Sequence, residues 1–417
     1  VLGWSAYLAS SWTWCIGMFL PALLVRDFGL AAFVVFAVPN ILGAAALGWT
    51  LDRRRAAAIL DHHTAAVAGF SIVTLSFHLF AIWMLIEPVA VVATGSRTWA
   101  VPMALAPVVV AIFAASRLGR SRRPDRILGI GAWCISALMG VWLILLGASP
   151  GVPRVTGVAG DLAMLAPVVV FGFLLCPYLD ITFLRARSEQ TDRDARRSFA
   201  LGFGALFLAM IVMTLLYAAE LMRLPSLGLG RGDRFGVAGS LPTAAAAAIL
   251  VHLVVQFTFT MLVHMRELKR ARAPARRWAM VAAGVLLAAG VVVGLASGTN
   301  RTLLGLGATE VVYRAYLGFY GLALPAYVYL CVIPRRGRPR HSPAAAPQDR
   351  GPAARSLMVW AGTVAIASPL YWIGFVHFDE RALIPGLAIV LFARVVVPAR
   401  GTIASEPAIS PGPTVAR

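Results

Sequence analysis

Apolar residues run along this chain in blocks separated by short polar gaps. A bilayer core about 30 Å thick is crossed by about 20 apolar residues wound as a helix. Windows of that kind recur near residues 4–25, 30–51, 65–86, 99–116, 127–147, 162–184, 198–221, 241–265, 278–297, 310–333, 356–376 and 383–398. The pattern predicts an all-α integral membrane protein with about twelve transmembrane helices. Trp49, Trp99 and Trp278 fall at predicted boundaries, where an amphipathic ring is favoured. The last window is short and carries Arg394, which is near enough to one face to snorkel.

The polar gaps alternate in charge. Arg53 to Arg55, the Arg117 to Arg126 cluster, Arg185 to Arg197, Arg266 to Arg277 and Arg335 to Arg355 are dense in basic residues, and the gaps between them are sparse. Short Lys/Arg-rich loops stay on the cytoplasmic side, so the pattern predicts a multi-pass protein of the cell inner (plasma) membrane with both termini inside. Composition agrees, at 59% hydrophobic and 13% charged residues. A net charge of +19 raises nucleic acid as a partner, but the charge lies in short loops beside spans, which favours lipid phosphate and excludes nucleic acid. Cys15, Cys134, Cys176 and Cys331 lie in apolar stretches without metal-ligand spacing and read as buried, reduced thiols. The first apolar block lacks a basic flank and is followed directly by another, unlike a cleavable signal peptide. The chain opens at Val1 almost inside a span, which points to a truncated start or an alternative start codon.

Two windows carry a matching interruption. The first contains Gly17 and Pro21, the sixth Gly172 and Pro177, each pair near mid-span among aromatic residues. Proline removes a helical N–H and clashes with the preceding turn, while glycine tolerates dihedrals a helix forbids. Unwinding is therefore expected from Gly17 to Pro21 and from Gly172 to Pro177. Five crossings separate the two, and an odd number inverts the next unit, so the pair marks an inverted repeat with a site at its interface.

On these residues, together with Phe28-Gly29, the Pro39 to Gly43 run and the Gly172 to Asp180 segment, the chain resembles the LeuT-like transporters of the amino acid–polyamine–cation superfamily. Nucleobase:cation and sodium:solute symporters are nearest in look. The resemblance implies a five-plus-five inverted repeat with broken helices 1 and 6 plus two C-terminal helices. Residues 1–147 would form repeat one, 162–333 repeat two, 334–355 a cytoplasmic Arg/Pro-rich loop, 356–398 helices 11 and 12, and 399–417 a disordered tail. It further implies a sodium site built from carbonyls of helix 1 and hydroxyls of helix 8, where Thr258 and Thr260 are the candidates. Their alternating spacing points them apart on a helix, which leaves each free to bond its own helix instead.

Asp180 is the one carboxylate well inside a span, beside an interruption. It reads either as the binder of a cation, a proton or a solute amine, or as the partner of Arg185 in an interfacial ion pair. Gly17, Phe19, Asn40, Gly172, Phe173 and Tyr178 flank the interruptions as candidate solute contacts, and each also fits ordinary helix packing. His78 and His252 line the same region or pack as hydrogen-bonding partners. Glu310 and Arg314, four apart, are expected to pair. The glycine-rich stretch 222–240 sits where LeuT-like relatives carry a lid.

No HExxH, CxxC, GxSxG or Walker pattern occurs. The expected function is secondary active transport of a small solute by alternating access. No enzyme activity or cofactor is expected and the sequence leaves a metal open, sodium or a proton being the coupling ion and membrane lipid the other partner. The competing readings are a polytopic enzyme acting on a lipid-linked substrate through Asp161 and Arg154, and a non-transporting sensor.

Overall fold

The computed structural model describes residues 1–119, 121–148, 159–222, 224, 241–270, 302–303, 306–333 and 354–397. The ninth apolar window, Arg154, most of the 222–240 stretch, the Arg/Pro-rich loop and the tail lie outside these residues. The described chain is helical apart from a two-residue ladder pairing Thr302 with Gly307 and Leu303 with Leu306. In order the helices are α1 (Leu2–Trp12), α2 (Cys15–Phe28), α3 (Leu30–Thr50), α4 (Arg53–His62), α5 (Thr64–Thr94), α6 (Arg97–Arg117) and α7 (Arg123–Leu145). There follow α8 (Ala159–Leu175), α9 (Ile181–Glu189), α10 (Asp192–Leu221), α11 (Thr243–Arg270), α12 (Ala308–Val332), α13 (Ala354–Val376) and α14 (Leu383–Ala393). Nine helices among the described residues are long and apolar enough to cross a membrane, and α1 with α2 make a tenth crossing bent by 57°. These ten match ten of the twelve expected windows. The twelfth window is represented by α14, an 11-residue helix.

Outward-facing positions are apolar on α6 and α7, where Val109, Phe113, Leu138 and Leu145 are exposed. In lipid that is the expected dress of a spanning helix, because tails are as apolar as the side chains. Cys134 belongs to this exposed set, unlike the buried thiol expected, since an apolar window does not say which face of its helix meets lipid.

The helices that carry the breaks are buried deepest. Nearly all of α1 and α2 is enclosed, from Trp4 to Asp27. The α1 helix packs on α7 and α10, while α2 packs on α10 and α3. A close crossing joins α3 to α8 at Gly43. A Cβ there would overlap the carbonyl oxygen of Phe173 and lie 2.8 Å from the Leu174 Cα, so only glycine lets the two backbones approach. Among the described residues four π-helical turns interrupt the long helices, at Ile82–Ile86, Gly202–Phe207, Phe319–Ala323 and Val328–Val332. One of them offers the Leu206 carbonyl to the Trp133 indole N–H at 3.0 Å. Such turns rotate the side chains beyond them and often mark sites.

Gly43→Ala is expected to cost about 1–3 kcal/mol through overpacking at this crossing. Gly69→Ala, with nothing within 4 Å of the new carbon, leaves stability within about 0.5 kcal/mol. Denaturant titration in mixed micelles compares the two.

Candidate functional site: two helix breaks meeting inside the bundle

The first break falls at Thr13 and Trp14, three to four residues before the expected stretch. Trp14 is extended, at φ −114° and ψ −174°, and the helix restarts at Cys15 with Gly17 and Pro21 inside it. Ser11 Oγ donates to the Leu8 carbonyl at 3.1 Å and Thr13 Oγ1 to the Ala9 carbonyl at 2.8 Å, hydroxyl bonds back into the last turn of α1, where the Thr13 N–H still holds the Ala9 carbonyl at 2.9 Å. Pro21 is tolerated within α2, where the Gly17 carbonyl is the acceptor its missing N–H would have used. The second break runs from Cys176 through Asp180, a single 3₁₀ turn followed by the extended Asp180, and includes Pro177 but leaves Gly172 in intact helix.

Asp180 caps α9. Its Oδ1 accepts from the Thr182 backbone N–H at 2.7 Å and from Thr182 Oγ1 at 2.6 Å. Its Oδ2 has no partner, although the residue is 1% exposed. Arg185 is bonded to Glu267 at 3.2 Å, so Asp180 has no cation beside it among the described residues. The two breaks touch each other. Thr182 Oγ1 lies 3.3 Å from Ser11 Oγ, and the Trp12 and Phe183 rings are 4.9 Å apart.

Around this junction α5, α11 and α12 contribute the walls. Trp12 Nε1 donates to Asn40 Oδ1 at 2.6 Å. Trp14 stacks on His78 at 6.0 Å and meets Tyr320 edge-on at 4.8 Å. Tyr320 stands on a π turn of α12 and approaches Thr74 Oγ1 at 3.3 Å. His78 Nδ1 bonds the Thr74 carbonyl at 2.7 Å, and His264 Nδ1 bonds Ser71 Oγ at 3.0 Å. Thr260 Oγ1 donates to the Ser10 carbonyl at the end of α1, at 3.3 Å. Thr258 instead donates to the Val254 carbonyl of its own helix at 2.6 Å.

Of the residues singled out in the sequence, Asp180, Asn40 and Thr260 are thus gathered at the junction. Gly172 presses on the Tyr320 carbonyl, Phe173 packs edge-on against Phe36 at 5.1 Å, and Phe19 packs on Tyr313 at 4.9 Å. Gly17 abuts the Trp12 carbonyl and Phe207. The Tyr178 hydroxyl bonds Thr50 Oγ1 at 2.7 Å, away from the others. Asp161 stands in the first turn of α8. Trp12, Trp14, Ser71, Thr74, Tyr320 and His264 were not singled out. The Ser10-Ser11-Trp12-Thr13 run was the available signal, because hydroxyls beside a helix end compete for its carbonyls.

Ion pairs close both ends of the bundle. At the end where α2 meets α12, Arg26 pairs with Asp27 at 2.8 Å and with Glu310 at 2.6 Å, and Arg314 pairs with Asp27 at 2.5 Å and Glu310 at 2.8 Å. The expected Glu310–Arg314 pair is therefore half of a four-membered cluster. Phe378, at φ +60°, sets its ring 4.1 Å from the Arg314 guanidinium. Beside it, burial pushes the Glu380 carboxyl above its ordinary range. At the opposite, basic end, Glu267 of α11 receives Arg122, Arg185 at 3.2 Å and Arg270 at 2.7 Å. Arg122 also holds Glu189 at 3.0 Å, and Arg266 pairs with Asp125 at 2.7 Å while donating to the carbonyls of Leu118, Gly119 and Ser121. A cavity of about 160 Å³ opens between α4, α5, α9 and α11, lined by Asp61, Thr64, Arg185, Glu267 and Arg270, and reaches Ile181 next to Asp180.

No family model matches the chain, and no curated protein matches it. Among solved structures, the manganese transporter of Eremococcus coleocola, in complex with an aromatic bis-isothiourea substituted compound, is similar at a TM-score of 0.50 and 16% identity, over 95% of this chain and 92% of that one. Mhp1, a nucleobase-cation-symport-1 family transporter, is similar in a closed conformation with bromovinylhydantoin bound, at 0.46 and 15% identity over 96% and 94%. Its inward-facing conformation gives 0.43 and 15% over 94% and 88%. The likeness to the manganese transporter runs through almost the whole of both chains, and the fold is the LeuT-like one that the paired interruptions imply.

Arg314→Met leaves the buried Asp27 and Glu310 short of a cation and is expected to cost about 3–5 kcal/mol. Adding Glu310→Gln, which leaves a neutral Arg26–Asp27 pair, recovers at least about 1 kcal/mol. Denaturant titration of the single and double variants measures both.

Proposed function

We propose that this protein is a secondary transporter that moves a small solute across the membrane by alternating access, coupled to a cation. One observation carries the reading: two broken crossings meet mid-bundle, with a fully buried carboxylate between them that has one free oxygen and no cation beside it among the described residues, and an ion cluster at each end. Unwound backbone at bilayer depth needs protein, water, ion or solute to face it. Here the Ser10 carbonyl and the Asp180 carboxylate offer acceptors to a cation, while the first N–H groups of α2 offer donors to an anionic part of a solute. A buried lone carboxylate is stabilised by gaining a proton or a cation, so occupancy of Asp180 ties ion binding to the geometry of both breaks.

The clusters act as alternate seals. Solute entry from one side requires the Arg26, Asp27, Glu310 and Arg314 set to part; release to the other requires Glu267 to give up Arg122, Arg185 and Arg270. On this reading the basic end faces the cytoplasm of a cell-membrane protein, and the segments 1–147 and 162–333 are the two repeats that move against each other. A soluble solute rather than a lipid-linked one is the cargo, and no catalytic group is required.

Uptake into sealed proteoliposomes, screened over solute classes with sodium and proton gradients imposed separately, tests the proposal. Accumulation of at least one solute against its gradient is expected. Asp180→Asn lowers accumulation at least tenfold, whereas Ser368→Ala, whose hydroxyl bonds only the Val364 carbonyl on an exposed face of α13, leaves it unchanged. Turnover of a lipid-linked substrate in detergent, with no gradient, would sink the idea.

A further inference from the structure

Helix α11 hides a polar stripe in an apolar sequence. His252, Gln256, Thr260 and His264 follow at intervals of four, and Glu267 ends the series. All five are at most 1% exposed. At 1.5 Å per residue the stripe spans about 22 Å, most of a bilayer core, and a step of four residues turns only about 40° beyond a full revolution. It begins beside Tyr217 of α10, whose hydroxyl donates to the Met18 carbonyl of α2 at 3.0 Å, passes the junction of the two breaks and finishes in the basic-end cluster.

Each member faces a different neighbour. The His252 ring lies 5.8 Å from Tyr217 of α10. Gln256 Nε2 donates to Ser136 Oγ at 2.8 Å and to the Ala132 carbonyl at 3.3 Å. Thr260 and His264 bond Ser10 and Ser71, as described, and Glu267 holds its three arginines. The hydrogen-bond accounting does not close. Both ring nitrogens of His252 and Oε1 of Gln256 have no partner, and neither do His78 Nε2 or Asp180 Oδ2 beside the junction. Buried polar groups in native proteins are paired with protein or with water, and unpartnered ones one turn apart on the same stripe are the places water occupies. Successive members stand about 6 Å apart along the axis, the span of one bridging water.

We propose that this stripe is a proton path through the bundle and that the coupling ion is a proton; the second half rests on the transporter reading above. A proton reaching His252 from the Tyr217 side binds one ring nitrogen, and the proton on the other nitrogen passes to water held by Gln256. It moves on past the Thr260 hydroxyl to His264 and leaves by way of Glu267. Every transfer makes one N–H or O–H bond and breaks another, so no oxidant or co-reactant enters. The charged and titratable groups facing the stripe are Tyr217 on α10, Asp125 on α7, Tyr7 on α1, His78 on α5, Asp180 and Arg185 at and after the second break, and Arg122 before α7. Sodium finds a poorer set here, because the Thr258 hydroxyl is spent on its own helix.

Full-length protein in proteoliposomes loaded with a pH-sensitive dye, with potassium and valinomycin carrying compensating charge, is given an external acid jump without sodium. Acidification at least fivefold faster than in protein-free vesicles is expected. His252→Gln, which keeps a polar side chain but cannot titrate, and Gln256→Leu each return the rate to within twofold of protein-free vesicles, while Val251→Ala on the exposed face of α11 matches wild type. Variants are compared at equal melting temperature, so a folding defect does not pass for a blocked path. Wild-type vesicles no faster than empty ones, or an unaltered rate in His252→Gln, overturn the proposal. Sodium-driven solute uptake in proton-tight vesicles defeats the path and spares the transporter, and proton entry with no solute moved does the reverse.

Discussion

Every backbone N–H and C=O at bilayer depth needs a partner, and this molecule meets that demand in an unusual way at two places. At Thr13–Trp14 and at Cys176–Asp180 the helix stops, and side chains take over: Thr260 serves the Ser10 carbonyl at the end of α1, Asp180 serves the start of α9, and Thr182 joins Ser11 across the gap. The aromatic walls follow from this arrangement. Trp12, the last residue of α1, meets Asn40 and Phe183, and the extended backbone at Trp14 lays its ring against His78 and Tyr320.

The same logic explains why charge is confined to the ends. Buried ions survive only when paired and hydrogen bonded. Arginine manages this through its planar fork, so Arg26 and Arg314 each reach two carboxylates, and Arg266 gathers three carbonyls as well as Asp125. Between those clusters, among the described residues, no such neutralised set surrounds Asp180. A structure that pairs its ions so fully at both ends and leaves one carboxylate without a cation in the middle separates sealing from binding.

Much of the architecture was legible in the chain. Apolar blocks of spanning length map onto ten crossings, and the Gly-Pro pairs pointed to the first and sixth as the broken ones. Their positions were off by a few residues because glycine and proline only permit a break: Gly17 and Pro21 fit inside α2, and the second helix restarts where Asp180 caps it. The Arg26 cluster was half visible: Glu310 and Arg314 are four apart, but Arg26 and Asp27 lie nearly three hundred residues away and only the fold unites them. The α11 stripe was present as a period of four, yet attention to Thr258 and Thr260 as a pair hid it, since those two residues face different ways.

The Arg26 cluster also has an electrical consequence. It contains two guanidinium groups and two carboxylates, so its parts sum to no net charge when they separate and regroup. Moving one elementary charge through a transmembrane voltage is worth about 2.3 kcal/mol per 100 mV. A neutral assembly escapes that work, whereas the basic end, with Arg122, Arg185, Arg266 and Arg270 against Asp125, Glu189 and Glu267, carries one positive charge in excess. Voltage therefore bears unequally on the two ends, pulling on the basic one and leaving the other to chemistry alone.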